Sequence, residues 1–73
     1  MKFEYDDKEN QSEVIAALYK FSGGPNLCLA IKADNGKTVW FYHDEDRASV
    51  QNIALGENPV KEFRKGDKIT ITF

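Results

Sequence analysis

The dipeptide Asn35-Gly36 constrains this chain more than any other feature, because it sits between two runs of apolar and β-branched residues, 26–33 and 37–43. Asn and Gly are the residues that best tolerate positive φ, and a two-residue turn with both centres at positive φ matches the twist of the strands it joins. The segment therefore reads as a β-hairpin with a type I′ turn. A two-residue loop sets the register. It places Asp34 opposite Lys37, Ala33 opposite Thr38, Lys32 opposite Val39, Ile31 opposite Trp40, Ala30 opposite Phe41 and Leu29 opposite Tyr42. One face then carries Leu27, Leu29, Ile31, Trp40 and Tyr42, the expected core. The other carries Cys28, Ala30, Lys32, Val39, Phe41 and His43, more apolar than a solvated face requires.

The rest of the chain is read against this hairpin. Residues 68–73 alternate strictly, with Ile69, Ile71 and Phe73 inward and Lys68, Thr70 and Thr72 outward, which is the pattern of a half-buried strand. Gly66-Asp67 marks a turn before it, and residues 60–64, just after Pro59, read as a short partner strand. Residues 44–56 carry acids first, a glycine last and Val50, Ile53 and Ala54 at helical spacing, so a helix capped by Asp44 is expected there. Residues 12–21 fit either a helical face or a strand; the hairpin-length loop to Leu27, through Gly23-Gly24-Pro25, favours a strand and a three-strand meander. The expected fold is α+β: a small antiparallel sheet of four or five strands, a partly open barrel, with one helix near residues 45–55. Residues 1–73 make one domain, in which residues 1–12 form a partly mobile acidic arm.

Charge and cysteine content narrow the function. The formal net charge is -2, with -3 over residues 1–13 and +2 over residues 61–68. Nucleic acid and anionic lipid both demand a positive surface, so neither is the expected partner. The single cysteine, Cys28, cannot form an internal disulfide, and no stretch approaches the length of an apolar membrane span. These observations point to a reducing, cytoplasmic setting and to a monomer when free.

Each candidate for chemistry has a plainer structural explanation. His43 followed by Asp44, Glu45 and Asp46 is one imidazole and three carboxylates pointing in different directions, the end of a strand rather than a metal or catalytic site. Cys28 lacks the base and positive surroundings that make a thiolate nucleophile, and reads as a buried thiol. Gly23-Gly24-Pro25-Asn26 lacks the Lys-Ser/Thr of a phosphate-binding loop. The run Trp40-Phe41-Tyr42 could stack bases, but only Lys20, Lys32 and Lys37 lie near it. No catalytic group, cofactor or metal is expected, and the chain is not read as an enzyme.

Two fragments resemble pieces of SH3 domains: residues 17–21, Ala-Leu-Tyr-Lys-Phe, resemble the ALYDY segment, and residues 62–69 resemble the diverging turn. About forty residues separate them here, whereas in that family they are close together, so recognition of Pro-rich ligands is not implied. In size and general character the chain resembles the small RNA-polymerase-binding transcription regulators of lytic bacteriophages: cofactor-free, mildly acidic and without catalytic signatures. That resemblance implies a noncatalytic protein-binding module whose partner is a host transcription enzyme. The hairpin's second face (Val39, Phe41, His43 and Lys32) and the N-terminal arm (Phe3, Tyr5, Asp6 and Asp7) are the expected contact residues. The alternative is a small β-barrel that binds single-stranded nucleic acid.

Overall fold

The computed structural model describes residues 1–21 and 27–73; the expected turn at Gly23-Gly24-Pro25-Asn26 lies outside them. Among the described residues, seven strands account for the architecture: β1 (Lys2–Asp6), β2 (Val14–Lys20), β3 (Leu27–Lys32), β4 (Thr38–Tyr42), β5 (Arg47–Gln51), β6 (Lys61–Arg64) and β7 (Lys68–Thr72). They form a five-stranded sheet in the order β5-β4-β3-β2-β6 and a two-stranded sheet of β1 and β7, with every pairing antiparallel. The fold is all-β, which corrects the α+β expectation.

The expected helix near residues 45–55 is replaced by a turn and a strand. Directly after β4 the chain reverses at residues 43–46, where the Glu45 N–H donates to the Tyr42 carbonyl at 3.2 Å and Asp46 adopts φ 43°. Residues 47–51 then pair with β4 in unbroken register, Tyr42 opposite Arg47 and Thr38 opposite Gln51. The physical reason is the narrowness of the helical stripe. A helix bearing only Val50, Ile53 and Ala54 would bury little, whereas a strand satisfies the outer backbone groups of β4 and gives the Tyr42 hydroxyl a partner in Ser49 Oγ at 2.9 Å.

Within residues 12–21 the strand β2 spans Val14–Lys20, and β2-β3-β4 is the expected meander. The hairpin turn also keeps its expected chemistry. Asn35 and Gly36 lie at φ 64° and 72°, and the Lys37 N–H reaches back to the Asp34 carbonyl at 3.4 Å. The register differs by one residue. The Lys37 carbonyl accepts from the Ala33 N–H at 2.9 Å, so Ala33 and Asp34 together oppose Lys37, and the ladder runs from Lys32–Thr38 to Cys28–Tyr42. A one-residue bulge exchanges the faces of one strand relative to the other. Trp40 and Tyr42 therefore share a face with Cys28 and Ala30, while Val39 and Phe41 share the other with Leu29 and Ile31.

The five-stranded sheet is consequently apolar on both sides. One face buries Ala16, Leu18, Leu29 and Phe63 against Phe3, Ile69 and Ile71 of the small sheet, with Ile15, Leu27, Ile31 and Phe41 around them. The other holds Ala17, Tyr19, Cys28, Ala30 and Trp40, partly covered by Tyr42 and Leu55. Of residues 60–64, Lys61–Arg64 form a strand, but this β6 pairs with β2, with Phe63 opposite Ala16, rather than with the strand that follows it. The turn between them is tight: the Asp67 N–H donates to the Arg64 carbonyl at 2.9 Å while Asp67 Oδ2 accepts from the Arg64 N–H at 2.8 Å. Beyond it β7 crosses to the small sheet. There it pairs with residues 2–6 of the expected N-terminal arm, from Lys2–Thr72 to Asp6–Lys68.

Candidate binding site

The face carrying Trp40 is built from alternation and from small residues. Ala17 and Tyr19 of β2 and Phe21 just beyond its end follow one another at period two, and across the sheet Ala17, Ala30, Trp40 and Ser49 stand in one row. The two alanines leave room for the indole, which lies 5.3 Å from the Tyr19 ring and 6.0 Å from the Phe21 ring at tilts of 33° and 31°. Its Nε1–H donates to Thr38 Oγ1 at 2.7 Å, a bond made inside the protein between two buried groups. The ring is thereby fixed in plane and depth.

Trp40 forms the floor of an open cleft of about 240 Å³ lined also by Phe21, Tyr42, Gln51 and Ile53. Phe21 and Ile53 are 48% and 53% exposed and leave apolar surface open at the cleft. The rim is polar: Tyr42 and Gln51 both bond Ser49 Oγ, and the Arg47 guanidinium lies over the Tyr42 ring at 4.2 Å while pairing with Glu45. A fixed aromatic floor, exposed apolar walls and a polar edge are what a recognition pocket for an apolar side chain needs.

Two further depressions, both slightly larger and more enclosed, differ in character. One, of about 270 Å³, lies between Tyr19, Leu55 and Gly56 and is flanked by Lys32 and Glu62. The Tyr19 hydroxyl donates to the Gly56 carbonyl at 2.8 Å, and burial, with Glu62 nearby, pushes its pKa up. The other, of about 250 Å³, is bounded by Glu4, Tyr5, Asp6, Lys68 and Thr70 on the small sheet. No family model, curated protein or solved structure matches this chain. The site is therefore argued from its own chemistry.

The eight contact residues expected from the sequence do not form one surface. Val39 and Phe41 face the small sheet, where the Phe41 ring lies 6.5 Å from Phe73. Lys32 lies on the opposite face, beside the Tyr19 depression. His43 follows β4, exposed, with Nδ1 3.0 Å from Asp44 Oδ1 and its ring 6.1 Å from Phe3. Phe3 packs into the core, and the Tyr5 ring meets Phe63 edge-on at 4.8 Å. Asp6 closes β1 opposite Lys68, and Asp7 pairs with Lys61. That lysine's hydrogen bond, and then the Glu9 N–H, hold the Asp7 carboxyl below its usual range.

The cleft residues were assigned elsewhere by sequence reasoning: Trp40 and Tyr42 to the core, Ile53 to a helix. The signal that could have found them is the small-residue pair Ala17 and Ala30 beneath a run of aromatics. Cys28 is buried, and desolvation, followed by the Asp44 carboxylate, raises its pKa, so it stays a thiol at neutral pH. Among the described residues, no group of three or more His, Cys, Asp or Glu side chains could hold a metal ion. Among the same residues, no helix is long and apolar enough to cross a membrane.

Proposed function

We propose that this chain is a noncatalytic protein-binding module whose cleft receives an apolar side chain from a larger protein. The observation that carries the reading is the cleft itself: an indole locked by Thr38 beneath the half-exposed Phe21 and Ile53. Locked aromatics at the centre of a polar rim are the usual anchors of protein interfaces. The lining offers a phenol and a carboxamide as its polar groups, which orient a ligand but supply neither a nucleophile nor a base near neutral pH. Electrostatics disfavour a nucleic acid, because the chain carries a net charge of -2 and the guanidinium at the rim is already paired with Glu45. The resemblance to small phage regulators makes a host transcription enzyme, RNA polymerase, the partner of choice. A lone buried thiol suits the reducing cytoplasm in which that enzyme works.

The test is interferometry with the chain immobilised and purified bacterial RNA polymerase in solution. Binding at micromolar concentration or tighter is expected, weakened at least about tenfold by Phe21→Ala or Ile53→Ser, both exposed enough to leave the fold intact. Polymerase binding indifferent to both substitutions would refute the cleft, and absence of binding would refute the partner. Submicromolar binding of a single-stranded oligonucleotide, falling steeply with salt, would replace the reading with the nucleic-acid alternative.

A further inference from the structure

The two edges of the five-stranded sheet are built differently. An unpaired strand edge is a template for another strand, and monomeric proteins blunt it with short strands, proline, lysine or irregular pairing. The β6 edge has all four. It is four residues long, begins soon after Pro59, carries Lys61 and meets β2 across a register shift between Val14 and Ala16. The β5 edge has none of them. Its five residues contain no proline or lysine and run in unbroken register with β4, and among the described residues no strand pairs with its other side. Its single cation, Arg47, is drawn back over Tyr42 and onto Glu45.

The side chains at this edge are also uncovered. Val50 is 64% exposed and Ala48 is exposed, on the face turned toward the small sheet but beyond its cover; Phe73, 72% exposed, ends the chain close to Phe41 in the neighbouring strand. We propose that β5 pairs antiparallel with β5 of a second copy of this chain, about a two-fold axis through Ser49.

The strand's own sequence selects that occupant. In this register all five residues pair: Ala48 faces Val50 of the second copy, Ser49 faces Ser49, and Arg47 faces Gln51. Apolar meets apolar, each charge meets a carboxamide, and no two like charges oppose, which satisfies the cross-strand rule at every position. The result is a continuous ten-stranded sheet with both Trp40 clefts on one face. A contact confined to one strand pair and its side chains falls at the small end of protein interfaces, so the dimer is weak and depends on concentration. The pairing uses the backbone edge of β5, whose Ser49 and Gln51 also border the cleft, and requires no ligand in it.

Sedimentation velocity on the full chain, from about 10 µM to about 1 mM, tests it over the range where small interfaces associate. The weight-average mass should rise from that of the monomer toward twice that value, and Phe21→Ala should leave the rise unchanged. Val50→Lys sets two lysines diagonally across the axis and should abolish the rise. Adding Ala48→Glu places a carboxylate opposite each lysine and should restore it. Both substituted sites are exposed, and a retained cooperative melt checks the fold. Backbone amide exchange on the unmodified chain gives an independent reading, with β5 protection increasing with concentration. A monomer throughout the range, a Val50→Lys variant that associates as well as the parent, or no recovery in the double variant would overturn the proposal.

Discussion

Tyr5 and Phe63 tie the N-terminal strand to the main sheet, and a mutant cycle on this pair gives the sharpest test of the architecture. Phe63 is fully buried on β6, and Tyr5 on β1 meets it edge-to-face at 4.8 Å while remaining 47% exposed. About half of an aromatic side chain is thus removed from water, roughly 100 Å², worth about 2 kcal/mol as an upper bound. The ring pair adds about 0.5–1.5 kcal/mol. Tyr5→Ala should therefore cost about 2–3 kcal/mol, lowering Tm by about 8 °C or more, whereas Tyr5→Phe keeps the ring and most of the stability. Phe63→Leu should cost about 1–2 kcal/mol, and the double variant should fall short of the sum by the ring-pair energy. Urea denaturation followed by circular dichroism measures all four corners. If residues 1–12 were a free arm, Tyr5→Ala would cost under about 0.5 kcal/mol and the coupling would vanish; that result would refute the docked strand.

Three further outcomes follow from particular contacts. Thr38→Val orphans the buried Trp40 Nε1–H and should cost about 1–3 kcal/mol, a penalty that disappears in a Trp40→Phe background, as paired denaturation curves would show. Gly36→Ala meets no atom within 4 Å, so its cost of about 1 kcal/mol comes from backbone strain at φ 72° alone; an unchanged denaturation midpoint would contradict the turn geometry. The Asp7–Lys61 pair sets two pH limits. Because the Asp7 pKa is lowered in the fold, its contribution is present above the ordinary value of 3.8 and lost as pH falls through the lowered one; because the Lys61 pKa is raised, its contribution is present below 10.5 and lost as pH rises through the raised one. Tm should thus be insensitive to this pair around neutral pH, and Asp7→Asn should flatten the acid limb.

Local features were the legible ones. The alternation of residues 68–72 and the Asn35-Gly36 turn follow from periodicity and turn chemistry, which act over a few residues, and the strand over residues 14–20 from the hairpin-length loop to Leu27; Phe73, expected inward, is instead 72% exposed. Partner choice was not legible. Residues 60–64 and 68–73 look like a hairpin because a Gly-Asp turn joins them, yet β6 inserts Phe63 against Ala16 and Leu29 in the large sheet while β7 continues to β1. Nothing local distinguishes these outcomes, since each satisfies the same alternation. Residues 44–56 misled for a related reason. Acids followed by an apolar stripe suit a helix, but the open edge of β4 offered residues 47–51 a full set of backbone partners, and long-range pairing overrode a weak local preference.

The same limit hid the binding site, and it came down to one hydrogen bond. Asn35-Gly36 forms its type I′ turn whether the Lys37 carbonyl takes the N–H of Asp34 or that of Ala33. The first choice would put Trp40 and Tyr42 with Leu29 and Ile31, facing the small sheet. The second puts them over Ala17 and Ala30, on a face that only Leu55 and its neighbours partly cover. Steric fit favours the second: an indole needs alanine-sized neighbours across the sheet, and Leu29 and Ile31 already fill the layer shared with Phe63 and Ile71. Once the aromatics turn outward, Phe21 extends their row and Ile53 closes its end, so the cleft is a direct consequence of the bulge. Deleting Ala33 removes the bulge but sets Asp34 opposite Lys37 and leaves Lys32 opposite Thr38 and Ala30 opposite Trp40, so the deletion variant should keep both its fold and partner binding. A deletion variant that kept a cooperative melt but lost binding would show that the extra residue itself, and not the face it gives Trp40, controls the site.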